Sequence, residues 1–349
     1  MKQKLLFLIY FNTLLGLALN AQDPRFSQFY TAPQLLNPAL TGVFDGEYRI
    51  NVHYRNQWNS ILNKSAFVGY AAGGDYRYNV ADNDYAGFGL QLLNQNSGDG
   101  DLARTQAHLN GSYIKQLGGG SYGGPDYYLA AGAQLGFGQL STNWNKYWFS
   151  KQYDANSQSV NTGLNSGESG QNRSGTYLDF GVGLLWYAVF DEKSSIYFGG
   201  SLAHLNKPNI SLYDNSNENL YSKWTFHGGG EFKLSPYLSL LPNAYFTGQG
   251  PSLETVFGTS IRYSNGDWQE FSIRAGTFGR VNNRLDKFNN FESTIVSLAF
   301  EFERWMMGIS YDINFSDLQR VTNSRGSFEL ALIYTAKERK RYRVKCPTF

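Results

Sequence analysis

The feature that most constrains the fold of this 349-residue chain is a period of two in its hydrophobicity. Within residues 178–190, one set of alternate side chains is wholly apolar, whereas the other set mixes Asp179 with glycine, leucine and tyrosine. Residues 48–58, 296–303 and 307–315 alternate in the same way, although their sequences differ. Because successive side chains of a β-strand point to opposite faces, the pattern predicts strands with one apolar and one polar face.

Composition supports an all-β fold and limits the possible partners. The chain has 38 glycines, 25 tyrosines and 25 phenylalanines but only 17% charged residues, which is typical of β-rich proteins. After the N-terminal stretch no window is apolar enough for a transmembrane helix, so a membrane form of this chain has to be a barrel. With 30 basic and 28 acidic residues the net charge is +2, which argues against a nucleic-acid partner.

The pattern predicts about fourteen antiparallel strands, joined by connections of alternating length. The predicted strands are residues 47–58, 66–78, 85–93, 104–117, 127–140, 176–190, 195–205, 223–234, 237–246, 253–263, 269–278, 293–303, 305–315 and 327–336. The long, polar connections are residues 141–175, 206–222, 279–292 and 316–326. Bacterial outer-membrane barrels have short periplasmic turns and longer outer loops, and an even number of strands closes the sheet without an exposed edge.

Alternation alone fits a soluble β-sandwich as well as a membrane barrel, because both have an apolar and a polar face. In the membrane barrel the apolar face meets lipid and the polar face meets the lumen. The polar faces here are rich in glycine and carry isolated charges of both signs with little lysine, which favours a lumen. We therefore predict a transmembrane outer-membrane β-barrel over residues 47–336. The side chains expected to contact lipid are Phe180, Leu184, Val296, Phe300, Ile309 and Leu330.

Eight charged residues fall on the polar faces of the predicted strands. They are Arg49, Arg55, Asp179, Arg274, Glu301, Glu303, Asp312 and Glu329. One interpretation is a selective pore or a catalytic acid pair, and the other is a network of ion pairs and hydrogen bonds that fills the lumen. We favour the network, because an unpaired charge in a confined interior is costly.

The two ends of the chain differ from the strands in composition. Residues 1–21 begin with lysines ahead of an apolar run and close with small residues, which predicts a secretory signal peptide cut after Ala21. Residues 337–349 contain six Lys or Arg and one Glu, and they predict a basic periplasmic tail that contacts an anionic partner or the polar rim of the membrane, or stays solvated. The single Cys346 cannot form an internal disulfide.

Nothing in the sequence predicts catalysis or a bound cofactor. The four histidines do not pair with one another or with cysteine at metal-ligand spacing, so no metal site is predicted. The chain has no nucleophile elbow, phosphate-binding loop or dinucleotide fingerprint. Carboxylates in residues 81–87 and 96–102 have spacings that could hold calcium, but Asp-Gly turns look the same, and we favour turns.

The longest connection carries a cluster of aromatic residues, Trp144, Tyr147, Trp148 and Phe149. Aromatic side chains on otherwise polar loops are common anchors at protein interfaces. We therefore expect this loop to contact a partner protein at the cell surface.

Residues 22–42 follow neither helix nor strand periodicity. Together with residues 48–58 they closely resemble the N-terminal signature of the PorP/SprF family of Bacteroidetes outer-membrane proteins, which is associated with type IX secretion and gliding motility. The residues that carry the resemblance are Gln22, Asp23, Pro24, Phe26, Ser27, Gln28, Phe29, Tyr30, Pro33, Leu36, Asn37, Pro38, Ala39, Gly42, Tyr48, Arg49, Tyr54, Arg55, Gln57 and Trp58. A run this long and this irregular is specific.

The resemblance implies a non-enzymatic barrel that lies in outer-membrane lipid and works without a cofactor. Some members of the family resemble parts of the secretion and motility machinery, which bind periplasmic lipoproteins and a peptidoglycan-binding protein. Others are dedicated partners that hold a secreted adhesin at the cell surface through its C-terminal domain. The resemblance leaves open which role this chain has, and the alternative function is a channel or transporter for small solutes.

Residues 22–46 are predicted to plug the barrel. Their three prolines prevent both helix and strand pairing, whereas the aromatic and leucine residues between them need burial. We expect this segment inside the barrel or against its periplasmic mouth, with Gln28 and Asn37 hydrogen-bonded to backbone groups. The alternative is an arm that only a partner orders. A plugged barrel is suited to anchoring other proteins, whereas a channel needs an open lumen.

Overall fold

The structure is a computed structural model, and it describes most of the chain. The described residues are 23–81, 83–119, 124–167, 174–191, 194–212, 218–265, 271–283, 290–317, 319–336 and 346–347. The predicted signal peptide, residues 1–21, lies outside the described residues, as does most of the predicted basic tail, residues 337–349.

Fourteen antiparallel strands form a closed barrel, which confirms the predicted fold class. The strands of the described residues, which include two outside the barrel, are β1 Tyr48–Gln57, β2 Phe67–Ala81, β3 Asp84–Ser97, β4 Leu102–Gly118, β5 Asp126–Ser141, β6 Tyr153–Asp154, β7 Ser159–Val160, β8 Ser174–Asp191, β9 Ser194–Ala203, β10 Lys223–Lys233, β11 Leu238–Gln249, β12 Ser252–Ser264, β13 Phe271–Asn282, β14 Asn290–Phe302, β15 Trp305–Asn314 and β16 Arg325–Thr335. β6 and β7 form a separate two-stranded hairpin in the long connection between β5 and β8. The barrel closes where β1 pairs with β16, in a register that runs from Arg49 opposite Thr335 to Gln57 opposite Ser327.

The helices are short and lie in the N-terminal segment and the connections. The α-helical turns are Pro33–Leu36, Asn59–Leu62 and Gln319–Thr322, and the 3-10 turns are Phe29–Thr31, Pro38–Leu40, Asn63–Ser65, Trp144–Lys146 and Ser150–Gln152. In the part of the chain that the structure describes, no helix has both the length and the apolar character to cross a membrane.

The apolar faces of the strands point outward and the polar faces point into the barrel. On β1, Ile50 and Val52 are 49% and 48% exposed, whereas Arg49, Asn51 and His53, which alternate with them, are buried. A soluble sandwich buries its apolar faces, so this arrangement is the one expected of a barrel in lipid. The residues predicted to contact lipid, which are Phe180, Leu184, Val296, Phe300, Ile309 and Leu330, all lie on the outward faces and are exposed or partly exposed.

The two ends of the barrel differ in the length of their connections. At one end, here called the short-turn end, lie connections such as 192–193, 234–237 and 303–304, together with the start of β1 and the end of β16. At the other end, the loop end, lie the connections 142–173 and 204–222. By the general rule for bacterial barrels, the short-turn end faces the periplasm and the loop end faces outward.

One predicted long connection is shorter than expected. The sequence predicts a loop over residues 279–292, but β13 continues to Asn282 and β14 begins at Asn290. Arg280, within the extended part of β13, points into the lumen, where it is buried and pairs with Asp312 at 2.7 Å.

In the wall of the barrel, the long strand β8 pairs with a shorter strand, β9. β9 pairs with β8 only from Leu202, opposite Val182, to Ser194, opposite Asp191. His204 then takes a left-handed conformation, with a φ of 56°, and ends the strand. Leu205 donates its backbone N–H to the carbonyl oxygen of Phe180 over 3.0 Å, so the next connection continues along the edge of β8.

We predict that a charge on the outward face destabilises the barrel according to its depth. Leu184 lies in the middle of β8 and is 58% exposed, so Leu184→Arg places a cation in hydrocarbon and lowers the free energy of unfolding by about 2–4 kcal/mol. Tyr263→Arg, at the short-turn end of β12, is the control and costs about 1 kcal/mol or less. The measurement is unfolding by urea in lipid vesicles, and equal losses for the two variants contradict the lipid assignment.

Candidate functional site

The N-terminal segment, residues 23–46, lies inside the barrel and is here called the plug. It begins at the loop end, where Asp23 contacts Arg104 near the start of β4, and it ends near the short-turn end, where Phe44 contacts Arg77. Between these points almost all of its side chains are buried, with Ala39 and Val43 fully inaccessible. The plug therefore runs along the length of the lumen, from the loop end at Asp23 to the short-turn end at Phe44.

The local folding of the plug follows from its prolines and Asn37. Pro33 and Pro38 each occupy the first turn of a short helix, where the missing N–H costs nothing. The Asn37 side chain caps the second of these turns by accepting a hydrogen bond from the Ala39 N–H over 2.9 Å. Gly42 has a φ of +76° and turns the chain toward β1, a conformation that favours glycine.

At the loop end Asp23 is held by three basic side chains, a group here called the Asp23 cluster. Its carboxylate lies 3.1 Å from Arg104 Nη1, 2.8 Å from His204 Nε2 and 3.4 Å from Lys223 Nζ. His204 Nδ1 lies 2.9 Å from Oδ1 of Asp179, so this imidazole bridges two carboxylates. The cluster thus joins the start of the plug to three separate parts of the wall.

The charges of the Asp23 cluster reinforce one another. Burial alone raises the pKa of Asp23, but the attraction of His204, Lys223 and Arg104 outweighs it and holds this pKa well below its usual range. Burial likewise disfavours protonated His204, but Asp23 and Asp179 outweigh it and raise the pKa of His204 to about 9. At neutral pH the cluster therefore contains an imidazolium between two carboxylates.

Next along the plug, Ser27 and Gln28 bind a group of wall residues that we call the Glu329 cluster. Glu329 accepts hydrogen bonds from the backbone N–H groups of Ser27, over 2.6 Å, and Gln28, over 2.9 Å. It also pairs with Arg55 Nη1 at 2.5 Å. Asp312 accepts a hydrogen bond from the Ser27 hydroxyl over 2.8 Å and pairs with Arg280 at 2.7 Å. These charges are nearly inaccessible to water, so each depends on its partner.

In the middle of the lumen, Asn37 connects the plug to the wall backbone. Its Nδ2 atom donates to the carbonyl oxygens of Leu184 and Gly200 over 3.0 and 3.2 Å, as predicted for this residue. The close approach requires a glycine in the wall, because a Cβ atom on Gly183 would lie 1.9 Å from Asn37 Oδ1. The prediction for the side chain of Gln28 is wrong: that amide has no hydrogen-bond partner among the described residues, and the backbone N–H of Gln28 makes the contact to the wall.

Aromatic residues of the plug fill the lumen beside these polar contacts. The ring of Phe29 lies 4.7 Å from that of Tyr245, measured between centroids, and the ring of Tyr30 stacks on Phe278 at 5.7 Å. Phe26 packs against Ala71 and Leu93 on the opposite side. The apolar side chains of the plug therefore use the few apolar patches that the inward faces offer.

Toward the short-turn end, two arginines fix the last part of the plug. Arg49 pairs with Asp75 at 2.7 Å, and the same carboxylate accepts the N–H of Gly42 over 2.8 Å. Arg77 donates to the carbonyl oxygen of Phe44 over 2.6 Å and lies 3.3 Å from Sγ of Cys346. The plug is therefore attached to the wall at both ends and in the middle.

Seven of the eight charged residues predicted to line the lumen have side chains that point from the barrel wall into the lumen. Arg49, Arg55, Asp179, Asp312 and Glu329 belong to the contacts above, while Arg274 and Glu301 pair with each other at 2.9 Å. Glu303 is the exception and a correction: it is exposed in the turn after β14, with a φ of 49°. The alternation of residues 293–303 continues by chance past the last strand residue, so the pattern assigned Glu303 to the wrong environment.

The sequence interpretation also missed residues that the structure brings to the plug. They are Asp75, Arg77, Arg104, His204, Glu254 and Arg280. Asp75 and Arg77 lie on the polar face of β2 and could have been found by the same alternation, whereas His204 follows a strand end and has no periodic signature.

Cavities lie at both ends of the plug. One of about 500 Å³ opens at the loop end and is lined by residues such as Arg25, Trp58 and Glu254. The other, of about 250 Å³, lies at the short-turn end near Phe44 and Trp305. Within the described ranges, no group of three or more His, Cys, Asp or Glu side chains is arranged to hold a metal ion.

The aromatic residues predicted to bind a partner lie in the connection between β5 and β8. Trp144 stacks on Phe149 with 5.9 Å between ring centroids and meets the edge of Tyr147 at 5.7 Å. Trp148 is 57% exposed. Three of the four rings therefore build the loop itself, and Trp148 is the one most available to another molecule.

We predict that the stability of the plugged barrel falls as the pH rises through about 9, where His204 loses its proton. Because the pKa of His204 is raised on folding, its contribution is complete below about pH 6.5 and is lost by alkaline pH, at a cost on the order of 3 kcal/mol. The measurement is the Tm of the detergent-solubilised protein at pH 7.5 and 9.5. His204→Gln should have a lower Tm than wild type at pH 7.5 and little further decrease in Tm at pH 9.5. The control His227→Gln should lose as much Tm between the two pH values as wild type does. An equal decrease in Tm for wild type and His204→Gln contradicts the assignment of the pH dependence to His204.

Solved structures of similar fold are outer-membrane barrels. The Pseudomonas putida toluene transporter TodX aligns with a TM-score of 0.51 and 10% sequence identity, covering 89% of this chain and 95% of that chain. A Pseudomonas aeruginosa FadL homologue aligns with a TM-score of 0.47 and 11% identity, covering 87% of this chain and 94% of that chain. At 10% identity the likeness to TodX concerns the fold alone. Curated proteins provide no sequence match.

The family comparison agrees with the signature found at the N-terminus. The family described as "Type IX secretion system membrane protein PorP/SprF" matches residues 18–334, which include the plug and nearly the whole barrel. The chain therefore belongs to the PorP/SprF family of type IX secretion system membrane proteins.

Proposed function

We propose that this protein is a closed, non-enzymatic barrel that docks other proteins of the type IX secretion or gliding machinery. The family and the barrel fold indicate the outer membrane. The observation that carries the proposal is the plug, which fills the lumen and is attached at the Asp23 cluster, the Glu329 cluster and Asn37. Removing one partner of a buried ion pair typically costs about 3–5 kcal/mol, so a plug with several such pairs stays in place.

A closed barrel acts through its two ends, and the loop end is the better candidate for a secreted partner. Trp148 is exposed there on a long connection, and exposed aromatic side chains are frequent anchors in protein interfaces. The proposed occupant is the C-terminal domain of a secreted adhesin, which the barrel holds at the cell surface. The short-turn end is the side where periplasmic lipoproteins or a peptidoglycan-binding protein would attach.

We predict that the wild-type protein is silent in planar lipid bilayers, because the plug fills the lumen. Deletion of residues 23–42 should produce open channels. Glu329→Gln removes the charge that binds Arg55 and two plug N–H groups, so it should produce intermittent openings. Glu303→Gln, an equal change at an exposed turn, is the control and should remain silent.

Steady conductance of the wild-type protein contradicts the closed-barrel proposal and favours the alternative function, a channel or transporter for small solutes. If the deletion variant fails to fold, Glu329→Gln still separates the two functions. It replaces one carboxylate oxygen of the wall by an amide NH2 group and leaves the plug sequence intact.

We predict that Trp148→Ala reduces the amount of the secreted partner retained on the cell surface by roughly tenfold, the typical effect of losing an aromatic anchor. Tyr237→Ala is the matched control, since Tyr237 is an aromatic residue with 50% exposure at the opposite end. The measurement is mild-detergent capture of the barrel from native membranes, with quantitative mass spectrometry of the proteins that accompany it. Loss of periplasmic components in Tyr237→Ala, with the surface protein unaffected by Trp148→Ala, contradicts the surface-anchor role and selects the periplasmic one.

A further inference from the structure

Three aromatic rings lie together at the short-turn end, on the outward face of the strands that close the barrel. The ring of Tyr334 on β16 lies 4.8 Å from that of Trp305 on β15 and 6.0 Å from that of Tyr48 on β1, measured between centroids. Trp305 and Tyr334 are direct partners across the sheet. Tyr48 and Trp305 are exposed, so this group, here called the seam aromatics, is open to the lipid around the barrel.

The outward residues next to the seam aromatics, toward the middle of the barrel, are aliphatic. Met307 lies opposite Leu332, and Ile50 lies opposite Tyr334. All three aliphatic side chains are exposed. Outer-membrane barrels have a ring of aromatic residues at the level of the lipid headgroups and an apolar band at the level of the acyl chains. The seam aromatics therefore lie at the headgroup level of the periplasmic leaflet.

A cation and an anion lie beside these rings, in the turn between β14 and β15. The turn consists of Glu303 and Arg304, which are both exposed. Arg304 Nη1 donates to the Tyr334 hydroxyl over 3.4 Å, which is long for a hydrogen bond. Among the described residues, neither charged side chain has an ion-pair partner. A guanidinium has five N–H donors, so most of those of Arg304 are free to bind another group.

The pair of free charges distinguishes this turn from an ordinary part of the aromatic ring. The connection 234–237 lies at the same end and has the exposed Tyr237, but it contains no charged residue. Lys233, just before it, is exposed and is flanked in sequence by Phe232 and Leu234, with no acid beside it. Aromatic rings alone suit any lipid, whereas one free cation beside one free anion matches a headgroup that carries both charges.

We propose that this turn and the seam aromatics bind a phospholipid with an ethanolamine headgroup. Arg304 binds the phosphate, because a guanidinium offers it several N–H donors at once. Glu303 accepts hydrogen bonds from the ammonium group, which also lies against the electron-rich faces of the rings. The acyl chains follow the aliphatic row at Met307 and Leu332. A phospholipid without an ammonium group leaves Glu303 unpaired beside a phosphate of the same charge.

The site lies outside the lumen and away from the loop end, so it is separate from the plug and from the proposed surface anchor. Its residues come from β15, β16 and β1, which are the strands on either side of the closing seam. Lipid binding can therefore fail while docking is retained, and docking can fail while lipid binding is retained.

The test uses the purified full-length barrel in a nonionic polyether detergent. The probes are phosphatidylethanolamine and phosphatidylglycerol with the same acyl chains, and native mass spectrometry measures how much of each the barrel retains. We expect wild type to retain the ethanolamine lipid about fivefold better than the glycerol lipid. Arg304→Gln should lower the retention of both lipids, by about fivefold, the upper range for one exposed charge contact. Glu303→Gln should instead bring the ratio between the two lipids close to one.

Matched variants at the same end control for a general loss of charge or of an aromatic ring. Lys233→Gln removes an exposed cation and should retain both lipids like wild type. Tyr334→Leu should lower the retention of the ethanolamine lipid, whereas Tyr237→Leu should not. The Tm of Arg304→Gln and Glu303→Gln should equal that of wild type, because both side chains are exposed. An equal concentration of soluble glycerophosphoethanolamine, which has no acyl chains, should not displace the lipid.

Several results would overturn the proposal. One is equal retention of the two lipids by wild type, and another is an unchanged ratio in Glu303→Gln. A third is an equal loss in Arg304→Gln and Lys233→Gln. Displacement by the soluble headgroup also contradicts a phospholipid as the ligand.

Discussion

The structure depends on the pairing of buried charge inside a barrel whose outer surface is apolar. Because lipid takes the apolar faces, most of the charged and amide side chains of the strands point inward, where little water is available to solvate them. Each of these groups needs a protein partner. The plug supplies partners for the buried polar groups of the wall, and the wall supplies partners for those of the plug.

The plug meets this need with its backbone as much as with its side chains. Glu329 binds two successive backbone N–H groups, and Asp75 binds the N–H of Gly42. Prolines keep these groups out of regular helix or strand, so the N–H groups stay available to the wall. An irregular sequence is thus the appropriate one for a segment whose hydrogen bonds lie across the lumen and not along the chain.

Much of the barrel could be predicted from the sequence because its physics is local. Alternation of apolar and polar residues fixes both the strands and their faces, as at Ile50 and Asn51, and short polar turns fix the connectivity. The plug residues could be recognised from their composition, but the direction in which they cross the lumen could not. That direction is set by partners such as Arg104 and His204, which are distant in sequence from the plug. Arg104 lies on the inward face of β4, but alternation does not show which plug residue it contacts, and His204 follows a strand end and has no periodic signature. The error at Glu303 has the same origin, since alternation does not show where a strand ends.

The location of Asp23 has a consequence for biogenesis. β1 starts at the short-turn end immediately after the plug, whereas Asp23 lies at the far end of the cylinder, and the seam between β1 and β16 is the joint that completes the wall. Threading a folded, proline-rich chain through a finished cylinder packed with side chains would require breaking every cross-lumen contact again. The sheet must instead assemble around this segment. The pairing of β1 with β16 then comes last and encloses an interior that is already occupied.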